Sequence, residues 1–276
     1  MITFPNAKIN LGLDVVSRRP DGYHNLETIF YPIPLCDALE ITINKAADAP
    51  HCTFEMYNAV FEGDTADNLV VKAYKALAAE HVLPNVKMSL CKKIPTGAGL
   101  GGGSADAAFA LKMLNEIADL KLSDNELEKY AARIGADCAF FIKNTPAFAT
   151  GIGNILSPIE CSLNGYYLVL VKPEIHISTK EAYSLVTPAQ PVVSLQDIAS
   201  RPINMWRSSM KNDFEASVFA KFPETADIKE KLYALGAFYA SMSGSGSAFY
   251  GIFETEQSDD ALSVLFPDCF RWQCRL

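Results

Sequence analysis

At 276 residues, 49% hydrophobic and 20% charged, the chain has material for a large core and exceeds the usual single-domain size, so two packed domains are expected. A formal charge of −8 and a pI near 5.1 would repel a phosphate backbone, and no basic face offsets this, since the largest basic groupings are Lys92-Lys93 and Arg18-Arg19. Cys36, Cys52, Cys91, Cys138, Cys161, Cys269 and Cys274 are scattered and never spaced as CxxC, which argues against a zinc site or disulfide framework and fits reduced thiols in a cytoplasm.

The amino terminus has no basic region, and Lys8 and Asn10 interrupt its apolar stretch, so no signal peptide is expected. No window offers about 18 uninterrupted apolar residues, so no membrane span is expected either. Ile9, Leu11, Leu13 and Val15 alternate as a half-buried strand, followed by a turn at Arg19-Pro20-Asp21-Gly22. Residues 27–33 and 38–44 read as extended. After a polar loop, Asn68 caps a helix over 68–80, in which Leu69, Ala73, Ala76 and Leu77 recur at helical spacing. Residues 86–94 alternate as a strand ended by Pro95. Helices are predicted over 104–120 and from Ser123, with Glu126 as capping-box partner, to Gly135. Gly151 and Gly153 mark a hairpin turn within 148–159.

A compact apolar strand over 166–171 opens the second half, and the domain boundary is placed just before it. Helical patterns follow at 178–186, 213–219 and 224–235. Two extended stretches then flank Ser243-Gly244-Ser245-Gly246, and a last helix and strand finish the chain. This order points to an α+β fold whose second half is a split βαβ sandwich.

The segment Pro95-Thr96-Gly97-Ala98-Gly99-Leu100-Gly101-Gly102-Gly103-Ser104 lies between a predicted strand and a predicted helix. The first amides of a helix lack intrahelical partners and carry partial positive charge, so with Ala105 this segment forms an anion site suited to phosphate. Three other readings apply to the same residues. Gly97, Gly99 and Gly102 satisfy GxGxxG, but a dinucleotide fold needs a following parallel strand where 124–134 reads as helix. A Walker A loop needs Lys-Ser or Lys-Thr after the last glycine, which is missing here. A plain turn would leave the backbone entropy of five glycines in seven residues without an offset.

The run from Pro95 through Gly99-Leu100-Gly101-Gly102-Gly103-Ser104 to Ala107-Ala108 resembles the second motif of the galactokinase, homoserine kinase, mevalonate kinase and phosphomevalonate kinase superfamily. Pro5-Asn6-Ala7-Lys8-Ile9-Asn10-Leu11 resembles its first motif, and Ser243-Gly244-Ser245-Gly246-Ser247-Ala248 its third. Arg19-Pro20-Asp21-Gly22-Tyr23-His24 and Gly135-Ala136-Asp137 are similar to the branch that phosphorylates the 2-hydroxyl of 4-diphosphocytidyl-2-C-methyl-D-erythritol in the non-mevalonate isoprenoid pathway. Superfamily kinases acting on mevalonate or homoserine are the nearest rival, and a nicotinamide-dependent oxidoreductase or a non-catalytic nucleotide-binding module the distant ones.

The resemblance implies a ribosomal-protein-S5-domain-2-like N-terminal domain over 1–161 that binds ATP and carries the catalytic groups. It also implies a ferredoxin-like C-terminal domain over 162–276 that binds substrate. ATP and Mg2+ are the implied cofactors, with Ser104 the nearest candidate magnesium ligand. Asp137 would receive the hydroxyl proton with Lys8 as its partner, and because a carboxylate is a weak base its part is positioning and late proton acceptance. Tyr23 and Tyr183 would stack on the two sides of the cytosine, His24 would bind its edge, and Asn10 and Thr179 would add polar contacts. His51, His81 and His176 have no metal-ligand spacing. Ala139 departs from the proline often found two residues after this aspartate. The implied partners are small molecules alone, with no nucleic acid or membrane, and a monomer or weak homodimer.

Overall fold

The computed structural model describes residues 1–46, 50–59 and 63–276. In chain order the first half carries β1 (Ile2–Thr3), β2 (Asn6–Arg18), β3 (His24–Cys36), β4 (Ala38–Ile43), β5 (Cys52–Tyr57), α1 (Leu69–Ala78), β6 (Val86–Cys91), α2 (Gly102–Ile117), α3 (Asp124–Ile134), α4 (Phe140–Lys143), β7 (Ala147–Thr150) and β8 (Ile155–Pro158). The second half carries β9 (Tyr167–Pro173), α5 (Thr179–Ala182), α6 (Leu195–Ala199), α7 (Phe214–Lys221), α8 (Glu224–Ala234), β10 (Tyr239–Met242), β11 (Phe249–Phe253), α9 (Asp259–Leu265) and β12 (Cys269–Arg275). The α+β class expected from the sequence is the class observed. Among the described residues no helix is long and apolar enough to cross a membrane.

Two compact units interleave along the chain. One comprises Met1–Ala7, Leu35–Thr96 and Gly101–Thr145, the other Lys8–Pro34, Gly97–Leu100 and Pro146–Leu276. In the first, strands pair in the order β1-β4-β6-β5, antiparallel except for the parallel β5-β6 pair. β6 shows why one face suffices: Val86, Met88 and Leu90 are buried, while Lys87 and Cys91 point to solvent. α1 packs against α2 and α3. The buried alanines of α2 (Ala105, Ala107, Ala108, Ala110) present little bulk to their neighbours. Both helix starts read from sequence are present, with Asn68 accepting from the Val70 amide and Ser123 and Glu126 forming a capping box.

In the second unit the sheet order β10-β11-β9-β12 places the four strands of the C-terminal half as second, third, first, fourth, all antiparallel. That is the split βαβ arrangement, and Val169, Val171, Phe214, Leu232 and Phe249 fill its core. A further sheet, β2-β3-β7-β8, lies mostly in this unit.

Four local expectations need correction. β2 is not half-buried: every residue from Ala7 to Val16 is inside, because the polar Lys8, Asn10 and Asp14 are covered as well. α2 starts at Gly102 rather than Ser104, since Gly101 at φ +71° ends the loop in a left-handed cap. The polar stretch before Asn68 contains β5, and the helix predicted over 178–186 is only the single turn Thr179–Ala182.

Candidate active site

Gly101 caps α2 with no side-chain hydrogen bond, so the first-turn amides of Gly102, Gly103 and Ser104 have no partner inside the helix. Gly103 is exposed, Gly102 and Ser104 half-buried, and Ala105 is buried with its amide donating to the Gly101 carbonyl at 2.9 Å. Free first-turn amides of this kind can donate to an anion without any side-chain charge. Ser104 is half-buried, and the neighbouring Cys138 thiol is pushed up to about 12, mainly by its burial. Pro95 is half-buried and Thr96 exposed.

The middle of the loop, Gly97–Leu100, is bound into the second unit. Ala98 O accepts from the Ala248 amide at 3.1 Å, and Leu100 O from the Lys8 amide at 2.9 Å. Gly99 O accepts twice, from Lys8 Nζ at 3.0 Å and from Ser243 Oγ at 2.9 Å. A Cβ on Gly99 would collide with the Ser243 carbonyl oxygen, so glycine is obligatory there. The first and third sequence motifs thus grip the loop from β2 and from the β10-β11 turn.

Lys8 is 3% exposed. Its Nζ also donates to Asn10 Oδ1 at 2.6 Å and lies 4.9 Å from the centre of the Phe30 ring. Burying an ammonium is tolerable only when its protons are taken up in this way. Asn10 is held at every polar atom: its Nδ2 donates to Thr28 Oγ1 at 2.9 Å, its amide to Ser243 Oγ at 3.3 Å, and its carbonyl accepts from the Tyr250 hydroxyl at 2.7 Å.

Asp137 is half-buried in the first unit, in the turn after α3, where the Cys138 amide donates to the Gly135 carbonyl at 3.2 Å. Ala139 adopts φ −60°, close to the roughly −65° that a proline ring would fix, so the missing proline leaves the turn geometry in place.

Tyr23 is 63% exposed at the end of the Arg19–Gly22 turn, which is pinned by Arg19 Nη2 on Asp21 Oδ2 at 2.8 Å and by the Tyr23 amide donating to Asp21 Oδ1 at 3.1 Å. The His24 ring is stacked on Tyr183, centroids 4.7 Å apart and planes 20° apart. Phe214 meets the Tyr183 ring edge-on at 4.7 Å. Thr179 is exposed at the start of α5. The structure therefore brings His24 and Tyr183 together as a ring platform and leaves Tyr23 outward.

Sequence reasoning missed Thr28, Tyr250 and Asn212. Asn212 Nδ2 donates to the Met242 and Gly244 carbonyls at 2.9 and 2.8 Å, fixing the third motif. Nothing in the sequence marks Thr28, an ordinary β-branched strand residue, whereas Asn212 opens the Asn-Asp pair before α7.

Residues 68–149 match the GHMP kinases N terminal domain and residues 194–267 the GHMP kinases C terminal domain. Fold and site define a GHMP-type kinase, an ATP-dependent phosphotransferase with an alcohol as acceptor. Proteins called 4-diphosphocytidyl-2-C-methyl-D-erythritol kinase in Bacteroides fragilis and Parabacteroides distasonis are each 54% identical to this chain, over 100% of both sequences. A crystal structure of 4-(cytidine 5'-diphospho)-2C-methyl-D-erythritol kinase superposes with a TM-score of 0.80 at 32% identity, covering 99% of this chain and 98% of its own. Mevalonate kinase of Methanococcus jannaschii shares the fold alone, with a TM-score of 0.72 at 15% identity, covering 100% of this chain and 98% of its own. The chain belongs to the 4-diphosphocytidyl-2-C-methyl-D-erythritol kinase family.

Proposed function

We propose that the chain transfers the γ-phosphoryl group of ATP to the 2-hydroxyl of 4-diphosphocytidyl-2-C-methyl-D-erythritol, in the cytoplasm, as a step of the non-mevalonate isoprenoid pathway. The observation that carries this reading is the full-length 54% identity to relatives named for that substrate. The ring platform of His24 and Tyr183 supports it, because a flat heteroaromatic base is selected by stacking and by hydrogen bonds to its edge.

In this reading Pro95 to Ala105 hold the triphosphate through main-chain amides. Tyr23, His24, Thr179, Tyr183 and Asn10 bind the acceptor. Asp137 takes the hydroxyl proton and Lys8 is its charge partner. Transfer is direct, since an aligned alcohol can attack the γ-phosphate without a phosphoenzyme. Among the described residues no group of three or more His, Cys, Asp or Glu could hold a metal. That donor-poor setting suits magnesium, which keeps several waters and binds mainly to phosphate oxygens. Ser104 is the side chain that would hold the ion, which when bound would supply charge neutralisation to the triphosphate.

Two assays test the reading. Magnesium-ATP is offered with 4-diphosphocytidyl-2-C-methyl-D-erythritol, mevalonate or homoserine, and phosphate should reach only the first. Asp137→Asn should lower kcat by about 100-fold or more while a cooperative melting transition shows that the fold is kept; turnover close to wild type would remove Asp137 from the chemistry.

A further inference from the structure

The Lys8 ammonium is aimed by a hydrogen-bond chain that begins at a glycine. Gly12 lies in β2 at φ +66°, and a Cβ there would sit 2.6 Å from Leu195 Cδ2 and 2.8 Å from Met210 Cγ, so any side chain would be strained in its backbone and would displace those neighbours. The Gly12 carbonyl accepts from the Thr28 hydroxyl at 2.6 Å. A hydroxyl has one proton, and with that proton committed Thr28 Oγ1 can meet Asn10 only as an acceptor. Asn10 accordingly turns its Nδ2 to Thr28, at 2.9 Å, and its Oδ1 to Lys8 Nζ, at 2.6 Å. Thr28 is fully buried, and its place along β3 is fixed by pairing with Ala149 of β7.

We infer that Thr28 is a positioning residue for phosphoryl transfer: its hydroxyl sets which end of the Asn10 amide faces Lys8, and so where the ammonium points. The inference rests on the proposed role of Lys8. Without the hydroxyl the amide nitrogen loses its acceptor on the Thr28 side, and the contacts of Oδ1 with Lys8 and Ser243 are left to oppose rotation. Rotation of the amide would then bring N–H donors against the ammonium and push it off line. Valine has nearly the shape of threonine, so Thr28→Val cuts this link while filling the same space.

The test is steady-state kinetics with ATP and the acceptor on the full chain, with a melting curve for each variant. Thr28→Val should lower kcat about 100-fold and leave the KM for ATP close to wild type, while the KM for the acceptor rises because Asn10 is also proposed to bind it. Thr28→Ser, which keeps the hydroxyl, should stay within about twofold. In a Lys8→Met background Thr28→Val should cost nothing further in kcat, a non-additivity that loss of packing alone would not produce. Should Thr28→Val fail to fold, Thr28→Cys preserves the volume with a weak donor, and a clear fall in kcat is expected there too. If Lys8→Met abolishes turnover and the Thr28 variant keeps wild-type kcat, the Thr28 inference alone is overturned. Wild-type turnover by Lys8→Met overturns the Lys8 reading and this inference with it.

Discussion

Two buried lysines follow opposite plans. In the first unit Lys92, just past β6, lies between two carboxylates: its Nζ pairs with Asp37 and with Asp106 Oδ2, the latter at 2.7 Å. Asp37 Oδ1 also accepts the amides of Lys93 and Ile94, at 2.6 and 2.8 Å. In the second unit Lys8 is held by the Asn10 side-chain oxygen and the Gly99 carbonyl, which are neutral dipoles. A carboxylate brings opposite charge to an ammonium, whereas a neutral dipole fixes its direction. The contacts of Lys92 serve stability, whereas those of Lys8 aim the ammonium, as its proposed role at the reacting group requires.

Substituting each lysine by methionine probes this contrast most strongly. Lys92→Met leaves two carboxylates buried side by side and should lower the unfolding free energy by about 3–5 kcal/mol in urea denaturation. Of the acceptors named above, Lys8→Met strands Asn10 Oδ1, while Ser243 still donates to Gly99, so about 1–3 kcal/mol is expected together with the loss of turnover that the proposed role of Lys8 requires. A larger stability loss from Lys8→Met than from Lys92→Met would break the comparison.

A smaller effect sharpens it within the first unit. Asp37→Asn weakens one charged contact to Lys92 and forces an N–H group against either that lysine or two backbone donors, so a loss of about 2–3 kcal/mol is expected by the same denaturation. A negligible change would mean that Asp37 is not the carboxylate that neutralises Lys92.

Much of this layout was legible beforehand where a residue type has one local meaning. Asn68 and Ser123-Glu126 announce helix starts because their side chains satisfy orphan amides, and the glycines with Pro95 announce a strand-to-helix turn. The kinase motifs at Lys8, Gly99 and Ser243 could be named from the chain, and their mutual grip follows from a contact that only glycine permits. What stayed hidden depends on tertiary cover. Lys8, Asn10 and Asp14 alternate with apolar residues as they would on a half-exposed strand, and only packing on both faces reveals them as buried. Thr28 and Tyr250 act through a single hydroxyl each, which strand propensity cannot distinguish from filler. The stacking of His24 on Tyr183 joins residues far apart in sequence and could not be read from either segment.

Asp106 provides the most delicate test, because one lysine can neutralise only one of two adjacent carboxylates. Its Oδ1 is buried with no hydrogen-bond partner, and its pKa is raised from 3.8 to about 7, first by burial and further by Asp37, against the pull of Lys92. The sign follows from linkage. A raised folded-state value means that the folded protein holds a proton the unfolded chain releases, so this group's stabilisation is complete below about pH 4 and is lost as pH climbs to about 7. Asp106→Asn mimics the protonated form and has no proton to lose. It should match wild type near pH 4 and become the more stable of the two as pH rises, by about 4 kcal/mol at pH 7, with little further divergence above. Urea denaturation of both proteins across pH 4–8 isolates this group, since every other titration is common to the pair. A pH-independent difference between them would show that Asp106 is ionised throughout, with Lys92 shared between two charges.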